Sequence, residues 1–319
     1  MSSAVAAPLD AVIRPMLDDD LPALRELAAV AWDREPIQRA ALVDLLYKRP
    51  RSDPSLRLVA TLAGTVVGLA FGLVQEAKGY VDAIAVDAAV RRRRVATTLL
   101  AALEENMVLA GATSLGIGDH TWYYAWPGVD VAYTAALGLA ERRGYRRRDV
   151  VQSMDVGLHD WVPGSAQRAL DRHDIGATVR RAELADWPGL EQMIATEFDE
   201  TWRHETEVAL HRERPTAFVA TADDRFVGFA CHGVYRTDWF GPTATIPDYR
   251  GGGIGEALLR LCLDDMAAAG IATATINWIG PMSFYSRSVG ARCSRQFLTL
   301  DKDISAPRRV RASRPDGRP

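Results

Sequence analysis

The sequence predicts an α/β protein made of two tandem copies of one domain, each with a mixed, mostly antiparallel sheet flanked by helices. Two internal matches carry this prediction. RPMLDDDLPALREL from Arg14 aligns without a gap with RRAELADWPGLEQM from Arg180, 166 positions later. LVATLAGTVVGLAFGLV from Leu58 aligns with FVATADDRFVGFACHGV from Phe218 at a similar shift. Because self-similarity at a nearly constant shift indicates duplication, both halves should adopt the same fold.

The order of elements follows from the aligned segments. Each copy begins with a strand and a helix, and Pro22 or Pro188 lies in the first turn of that helix, where proline is favoured. A second helical stretch and antiparallel strands should follow, and in the second copy a hairpin should turn at Asp223 and Asp224. A marked turn, a long helix, a strand, a short helix and closing strands complete each copy.

The later elements of the second copy have readable bounds. The long helix is expected over residues 255–269, because Gly270 is the residue type favoured just after a helix C-terminus. The next strand is expected over 272–278, and the closing strands lie near 292–301.

The domain boundaries follow from composition. The predicted domains cover residues 11–156 and 177–302. Residues 157–176 carry Pro, Gly and Asp without a steady period, which predicts a linker. Residues 1–10 and the tail 303–319, rich in Pro and Arg, are expected to be mobile.

Composition narrows the class of protein. A formal net charge of −3 gives no general attraction to nucleic acid or to an anionic membrane. The apolar stretch 66–74 is far shorter than the roughly 20 residues of a membrane span, and the N-terminus has no signal-peptide pattern. Three widely spaced cysteines argue against a disulfide framework and a zinc site. We therefore expect a cytoplasmic enzyme with neither a nucleic-acid nor a membrane partner.

The stretch YRGGGIGEALLRL, which begins at Tyr249, concentrates glycines at the predicted start of the long helix. Backbone N–H groups at a helix N-terminus bind anions, and glycines let a phosphate reach them. The alternative is a turn that only caps the helix. The spacing fits neither a Walker phosphate loop nor a dinucleotide-binding G-x-G-x-x-G.

The spacing does fit R-x-x-G-x-G, with Arg250, Gly253 and Gly255. In this the segment IPDYRGGGIGEALL resembles the acetyl-CoA loop of the GNAT N-acetyltransferase superfamily, and the order of elements agrees in both copies. The resemblance implies acetyl-CoA, or another acyl-CoA, as co-substrate and no metal. The residues that it assigns to CoA are Thr243, Ala244, Thr245, Arg250, Gly251, Gly252, Gly253, Ile254, Gly255 and Glu256.

The resemblance also assigns a general acid. In MSFYSRSVGA, Tyr285 lies five residues before Gly290, as a tyrosine does in the family's last helix. Tyrosine keeps its proton at neutral pH and could protonate the leaving thiolate; the alternative is a buried packing tyrosine. Asn277 is assigned to the CoA or acyl slot, although the family's Asn-x-x-Ala spacing is absent.

The first copy departs from the pattern. Arg94 stands opposite Gly253, and Leu139 occupies the position of the tyrosine. We therefore expect the first copy to be catalytically inactive. Tandem families with one degenerate half include the mycothiol synthases, which this chain resembles less well.

The first copy also carries about 13 extra residues around HTWYYAWPGVDVAY, which begins at His120. The aromatic residues predict either a rigid packed loop or a wall for an apolar or flat ligand.

The general base has no clear candidate. The strand WFGPTATIP has no glutamate where many relatives carry one. His232, Asp238 and Glu197 are candidates, each of which could equally be structural. The missing glutamate favours an amine of low pKa, such as a peptide N-terminus or an amino acid, because more of it is neutral at pH 7.

These inferences favour a tandem GNAT N-acyltransferase, active in its second half, that acetylates a primary amine of a small molecule or peptide. A non-catalytic acyl-CoA-binding or regulatory protein is the competing class. A longer acyl chain or an acyl-carrier protein as donor stays open, and the sequence does not indicate the oligomeric state.

Overall fold

The computed structural model describes residues 10–35, 39–49, 52–173 and 176–304. The chain divides into two compact units that do not follow chain order. Unit 1 comprises Met1–His120, Val131–Asp149 and Leu298–Pro319, and unit 2 comprises Thr121–Asp130 and Val150–Phe297. The segments predicted to be mobile lie almost wholly outside the described residues, which begin at Asp10 and end at Ile304.

Both halves show the predicted order of elements. The first half contains β1 (Val12–Pro15), α1 (Leu21–Ala31), α2 (Arg39–Tyr47), β2 (Arg57–Leu62), β3 (Thr65–Gln75), β4 (Lys78–Val86), α3 (Val95–Leu109), β5 (Ser114–Ile117), β6 (Val129–Asp130), α4 (Thr134–Arg142) and β7 (Arg146–Gly157). The second half contains α5 (Ala166–Leu170), β8 (Thr178–Arg181), α6 (Trp187–Glu197), α7 (Glu200–Leu210), β9 (Ala217–Ala222), β10 (Arg225–His232), β11 (Trp239–Thr245), α8 (Ile254–Ala268), β12 (Thr273–Ile276), α9 (Met282–Val289) and β13 (Arg292–Asp303).

Each unit has a mixed sheet in which antiparallel pairs predominate. Unit 1 has the strand order β1-β2-β3-β4-β5, followed by residues 298–303 of β13 and 146–149 of β7. Unit 2 has residues 292–297 of β13 and 150–157 of β7, followed by β12-β11-β10-β9-β8. The pairs β4–β5 and β11–β12 are parallel, and the neighbouring pairs are antiparallel. The predicted fold class is confirmed.

The duplication is visible in repeated contacts. Arg14 at β1 makes a two-fold hydrogen bond to Asp20, with distances of 2.7 and 2.8 Å. Arg180 at β8 binds Asp186 in the same way, at 2.6 Å twice. Both pairs fasten the edge strand to the start of the first long helix.

The core of unit 2 lies on both faces of its sheet. On one face α8 buries the side chains at a helical spacing of four, with Ile254, Leu258, Cys262 and Met266 all at most 1 % exposed. On the other face α6 and α7 pack with residues such as Phe229.

The predicted bounds differ in two places. The long helix lies within one residue of the prediction, but β12 ends at Ile276 instead of 278. Trp278 has a left-handed backbone conformation, φ +52°, which lies outside the range of regular strands. The closing segment is one continuous strand, β13.

The segment predicted as a linker is packed. It contains α5, whose Ala169 is fully buried and whose Leu170 is 3 % exposed. The indole nitrogen of Trp161 donates to Asp264 of α8 at 2.7 Å. Within this segment α5 has only five residues, too few to show a helical period, which explains why the sequence resembles a linker.

Candidate functional site

β11 and β12 run side by side over two residue pairs and then separate. Trp239 lies opposite Thr275, and Phe240 lies opposite Ile276. β11 continues beyond Phe240, paired with β10 on its other edge. The strand residues assigned to CoA lie in this continuation: Thr243, Ala244 and Thr245.

Residues 250–256 lead from β11 into α8. Gly253 caps the helix in a left-handed conformation, φ +81°, and Arg250 Nε donates to the Thr245 carbonyl at 3.0 Å. Among the described residues, no protein acceptor takes a hydrogen bond from the N–H groups of residues 251–256. These N–H groups at the start of a 15-residue helix are therefore available to an anion. The assigned loop residues all lie here: Arg250, Gly251, Gly252, Gly253, Ile254, Gly255 and Glu256.

Gly253 also packs against α5. A Cβ at this position would lie 2.3 Å from the carbonyl oxygen of Ala169 and 3.0 Å from the ring of His173. No side chain fits there. Glycine at this position is thus required by packing as well as by its backbone conformation, a reason that the sequence does not reveal.

Glu256, in the first turn of α8, is neutralised by two arginines. Its carboxylate binds Arg172 at 2.5 Å and Arg260 at 2.9 Å. Burial alone would raise the pKa of Glu256, but the hydrogen bonds from these arginines lower it. The carboxylate therefore stays ionised without leaving a net negative charge at the helix start.

Tyr285 lies on α9, close to the point where β11 and β12 separate. Its ring is 6.3 Å from that of Phe240, the last β11 residue paired with β12. The side chain is 7 % exposed, and burial raises the pKa of Tyr285 to about 12. The hydroxyl makes no hydrogen bond to any described residue. It thus keeps its proton at physiological pH and is free to donate it.

Asn277 directly follows β12 on the same side of the separation. Its Oδ1 accepts a hydrogen bond from Ser153 Oγ. Its buried Nδ2 has no acceptor in good geometry among the described residues and lies near the Tyr124 hydroxyl.

The two histidine and aspartate candidates for a base are both ion-paired. His232 Nε2 is 2.9 Å from Asp265, which also binds Arg181 and Arg214 at 2.5 Å each. Burial alone would raise the pKa of Asp265, but hydrogen bonds from His232 and Arg181 hold it well below its usual value.

Asp238 is bound by the buried guanidinium of Arg236, at 3.0 and 3.2 Å. Glu197 is exposed at the end of α6. His232 and Asp238 are therefore engaged in ion pairs and Glu197 is exposed, so none of the three candidates is both buried and unpaired.

The first copy keeps the loop backbone without its glycines. Arg92 and Arg94 have φ values of +63° and +71°, close to +83° and +81° at Gly251 and Gly253. Arg91 Nε donates to the Val86 carbonyl at 3.2 Å, as Arg250 does to Thr245.

In unit 1, a buried cluster of polar and charged side chains lies next to the last β4–β5 residue pair. Asp82, just beyond the last β4–β5 pair, binds Arg49 and His120, each at 2.5 Å. All three side chains are at most 3 % exposed. Leu139, at the position of Tyr285, is buried and has no proton to donate.

The aromatic insert of the first copy belongs to unit 2. Residues Thr121–Asp130 join that unit, and Tyr124 packs on Trp239 at 5.2 Å and on Trp278 at 5.6 Å between ring centroids. Most of the rings are half-buried, so the insert both packs and lines a surface. We define the aromatic cluster as Trp122, Tyr123, Tyr124, His204, Tyr235, Trp239 and Trp278.

Sequence reasoning missed Glu205 on α7. It is 7 % exposed, and burial raises its pKa to about 8, with the nearby Tyr235 hydroxyl opposing part of the increase. The sequence gives little indication that Glu205 is buried, because the charged and polar residues around it resemble a solvated helix face.

A cavity of about 470 Å³ lies elsewhere in unit 2. It is lined by the segment before α5, by Arg168 of α5 and by Arg260, and neither β11 nor Tyr285 borders it. It is therefore distinct from the loop and the separated strands.

Metal-binding and membrane-spanning features are both missing from the described residues. They contain no group of three His, Cys, Asp or Glu side chains that could hold a metal ion. No helix among them is long and apolar enough to cross a membrane.

The model of the acetyltransferase (GNAT) family matches residues 21–145 and 179–287. No curated protein sequence matches the chain significantly.

Solved structures share the fold over almost the whole chain. A glucosamine N-acetyltransferase region of a fungal multi-domain GH3 β-N-acetylglucosaminidase is 20% identical, with a TM-score of 0.74, over 93% of this chain and 38% of that one. A GCN5-related N-acetyltransferase from Sphaerobacter thermophilus is 18% identical, with a TM-score of 0.71, over 94% and 97%. A tandem GNAT protein from the clavulanic acid biosynthesis pathway, solved without AcCoA, is 15% identical, with a TM-score of 0.67, over 93% and 99%.

The two matched regions cover more than half of the chain, and each coincides with one copy of the repeated order of elements. The chain therefore belongs to the GNAT acetyltransferase family, as a member with two GNAT regions in tandem.

Proposed function

We propose that this protein is an acyl-CoA-dependent N-acyltransferase, with acetyl-CoA as the favoured donor, and that the reaction takes place in unit 2. Family membership supports acyl transfer from acyl-CoA. The observation that favours unit 2 is the set of free N–H groups over residues 251–256 together with the unengaged hydroxyl of Tyr285.

The loop residues fit the pyrophosphate of CoA. The N–H groups of the loop and the dipole of α8 attract two phosphates. Beyond its bond to Thr245, the guanidinium of Arg250 is exposed and can bind a phosphate oxygen. The unpaired edge of β11 would hold the pantetheine arm, and an N–H group there would polarise the thioester carbonyl.

The proposed reaction transfers the acyl group directly from the thioester to the amine. The amine nitrogen forms a bond to the carbonyl carbon of the thioester, the C–S bond breaks, and the thiolate takes the proton of the Tyr285 hydroxyl. The nitrogen loses the proton that restores the tyrosine. A pKa of about 12 makes Tyr285 a weak acid, so its contribution depends on its position beside the sulfur.

In unit 1 the same reaction is unfavourable. The buried Asp82, Arg49 and His120 cluster lies where β4 and β5 stop pairing, and Leu139 stands in place of the acid. We propose that unit 1 does not catalyse transfer.

The acceptor is proposed to be a primary amine of a small molecule or peptide. Alkyl amines of pKa about 10.4 and α-amines of pKa about 7.7 are both mainly cations at pH 7, so each loses one proton to water before its neutral nitrogen attacks the thioester.

The test is thiol release from acetyl-CoA with a panel of amino acids, dipeptides, amino sugars and diamines. We expect amine-dependent release by the full-length protein and a loss of about 10²-fold or more in kcat/KM for Tyr285→Phe. Tyr47→Phe, which removes a tyrosine hydroxyl from unit 1, should leave the rate unchanged.

Calorimetry with CoA separates binding from turnover. Tyr285→Phe should bind CoA as the unmodified protein does. If no acyl-CoA of any chain length gave amine-dependent release while CoA still bound, the protein would be an acyl-CoA-binding module and the proposal would fail.

A further inference from the structure

The buried acids of unit 2 differ in one respect, the presence of a cationic partner. Asp265 has two arginines and a histidine, Asp238 has Arg236, and Asp130 has Arg295 at 2.8 Å. Glu205 is as buried as these, with 7 % exposure. In the part of the chain that the structure describes, Glu205 has no cationic partner.

An unpaired buried carboxylate costs free energy, and the protein reduces this cost by keeping the proton. Burial raises the pKa of Glu205 to about 8, and the nearby charge of Asp199 adds to the increase. At neutral pH the Glu205 carboxyl group is therefore mostly protonated and uncharged. A bound cation would stabilise the ionised carboxylate and lower this pKa.

The rings around Glu205 suit a cation as well. The Tyr235 hydroxyl lies near Glu205 and makes no hydrogen bond in good geometry to a described residue, and the Tyr235 ring packs on Tyr123 at 5.0 Å and on Tyr124 at 5.9 Å. His204, the residue before Glu205, packs on Trp122 at 4.5 Å. The faces of tyrosine and tryptophan rings attract cations, and the attraction strengthens where water is excluded. Most of these rings are half-buried, so the cluster is accessible from solvent.

The cluster extends from Glu205 to the proposed transfer site. Burial and, to a smaller extent, the nearby charge of Glu205 raise the pKa of Tyr124, whose hydroxyl lies near Asn277. The Tyr124 ring packs on Trp239 and Trp278. Trp239 directly precedes Phe240, on which the Tyr285 ring packs. A molecule bound along these rings would have one end at Glu205 and the other where β11 and β12 separate.

We propose that Glu205 and the aromatic cluster bind the cationic group of the acceptor, so that the enzyme selects positively charged amines with an apolar body. This inference rests on the proposed function. Glu205 is the counter-ion of the bound ammonium and determines specificity for it.

The groups that face Glu205 from the neighbouring elements would each influence its titration. They are Asp199 at the start of α7, Cys231 on β10, Tyr235 and Arg236 after β10, and Tyr123 and Tyr124 of the insert.

The test is calorimetric titration of the full-length protein with n-butylammonium and with 1-butanol, its neutral counterpart. We expect the ammonium to bind at least about 10-fold more tightly at pH 8. Because binding needs the ionised carboxylate, affinity for the ammonium should rise up to about tenfold for each pH unit between 6 and 8 and then level off. Affinity for 1-butanol should not change with pH.

Two variants complete the test. Glu205→Gln should weaken ammonium binding about 10-fold or more at pH 8 and abolish its pH dependence. Glu213→Gln, at an exposed glutamate of the same unit, should change neither. Equal affinity for the two probes, no binding of the ammonium, or an unchanged pH profile in Glu205→Gln would each overturn the inference.

Neither probe requires acyl transfer. The titration is repeated with Tyr285→Phe, which should bind n-butylammonium normally. A failure of the Glu205 inference would leave CoA binding and thiol release intact, whereas a failure of the proposed function would leave ammonium binding intact.

Discussion

At the scale of single residues, Gly253 shows how one position satisfies two requirements. Its left-handed conformation brings the chain into α8, and its missing side chain leaves room for the Ala169 carbonyl. The sequence explained the glycine only by the need for a phosphate to reach the backbone N–H groups. It could not predict the approach of α5, because that contact joins residues 84 positions apart.

The two requirements can be separated by comparing Gly253 with Gly251. Both have φ values above +80°, but a Cβ on Gly251 would meet no atom of the described residues within 4 Å, whereas one on Gly253 would meet the Ala169 oxygen at 2.3 Å. Gly251→Ala should cost about 1 kcal/mol, from conformation alone. Gly253→Ala should cost about 2–4 kcal/mol because α5 must also move. Urea unfolding measures both, and equal losses would show that α5 does not pack on the loop.

Glu205 is the residue-scale feature that the sequence did not predict. Residue types in the segment ETWRHETEVAL do not show which glutamate turns inward. Burial of Glu205 depends on Tyr235 and on the insert, which lie far from it in the sequence. Tyr285, by contrast, was assigned by resemblance to a family pattern whose tyrosine and glycine are five residues apart, and here both lie within one short helix and its cap. Its role as an acid is a prediction that the Tyr285→Phe measurement tests.

At the scale of elements, the strands and long helices were predictable and α5 was not. Period, proline and glycine positions locate α8 to within one residue. A helix of five residues has too few positions for a period, and its place is fixed by packing on α8.

Leu170 tests whether α5 is part of the core. It is 3 % exposed, so Leu170→Ala should lower the free energy of unfolding by about 2–4 kcal/mol. Leu184→Ala, at a side chain of the same unit that is 58 % exposed, should change it by no more than about 0.5 kcal/mol. Chemical denaturation followed by tryptophan fluorescence gives both values. If Leu170→Ala lowered the free energy of unfolding as little as Leu184→Ala does, α5 would not be part of the core and residues 157–176 would be a linker.

At the scale of the whole molecule, the compact units interleave along the chain. The repeat predicted two folds in succession, and each copy does show the same order of elements. The sequence did not predict that Thr121–Asp130 would join unit 2 and that the end of β13 would join unit 1. Strand exchange of this kind depends on pairing partners, and apolar alternation identifies a strand without identifying its neighbour.

The interleaving predicts that neither half folds alone. A fragment of residues 1–156 lacks the end of β13, in which Leu300 pairs with Ile117 of β5. A fragment of residues 157–319 lacks most of β7, in which Met154 pairs with Ile276 of β12. Each loss uncovers a sheet edge and the apolar side chains beside it, which a domain of this size cannot tolerate.

We expect each fragment alone to lose its near-ultraviolet circular dichroism and cooperative thermal transition, while the full-length protein keeps both. Because the missing strands are supplied in trans when both fragments are present, co-expression should restore a folded complex that binds CoA. Cooperative unfolding of residues 157–319 by themselves, with CoA bound, would show instead that the second copy is a self-sufficient domain and that β7 adds little to it.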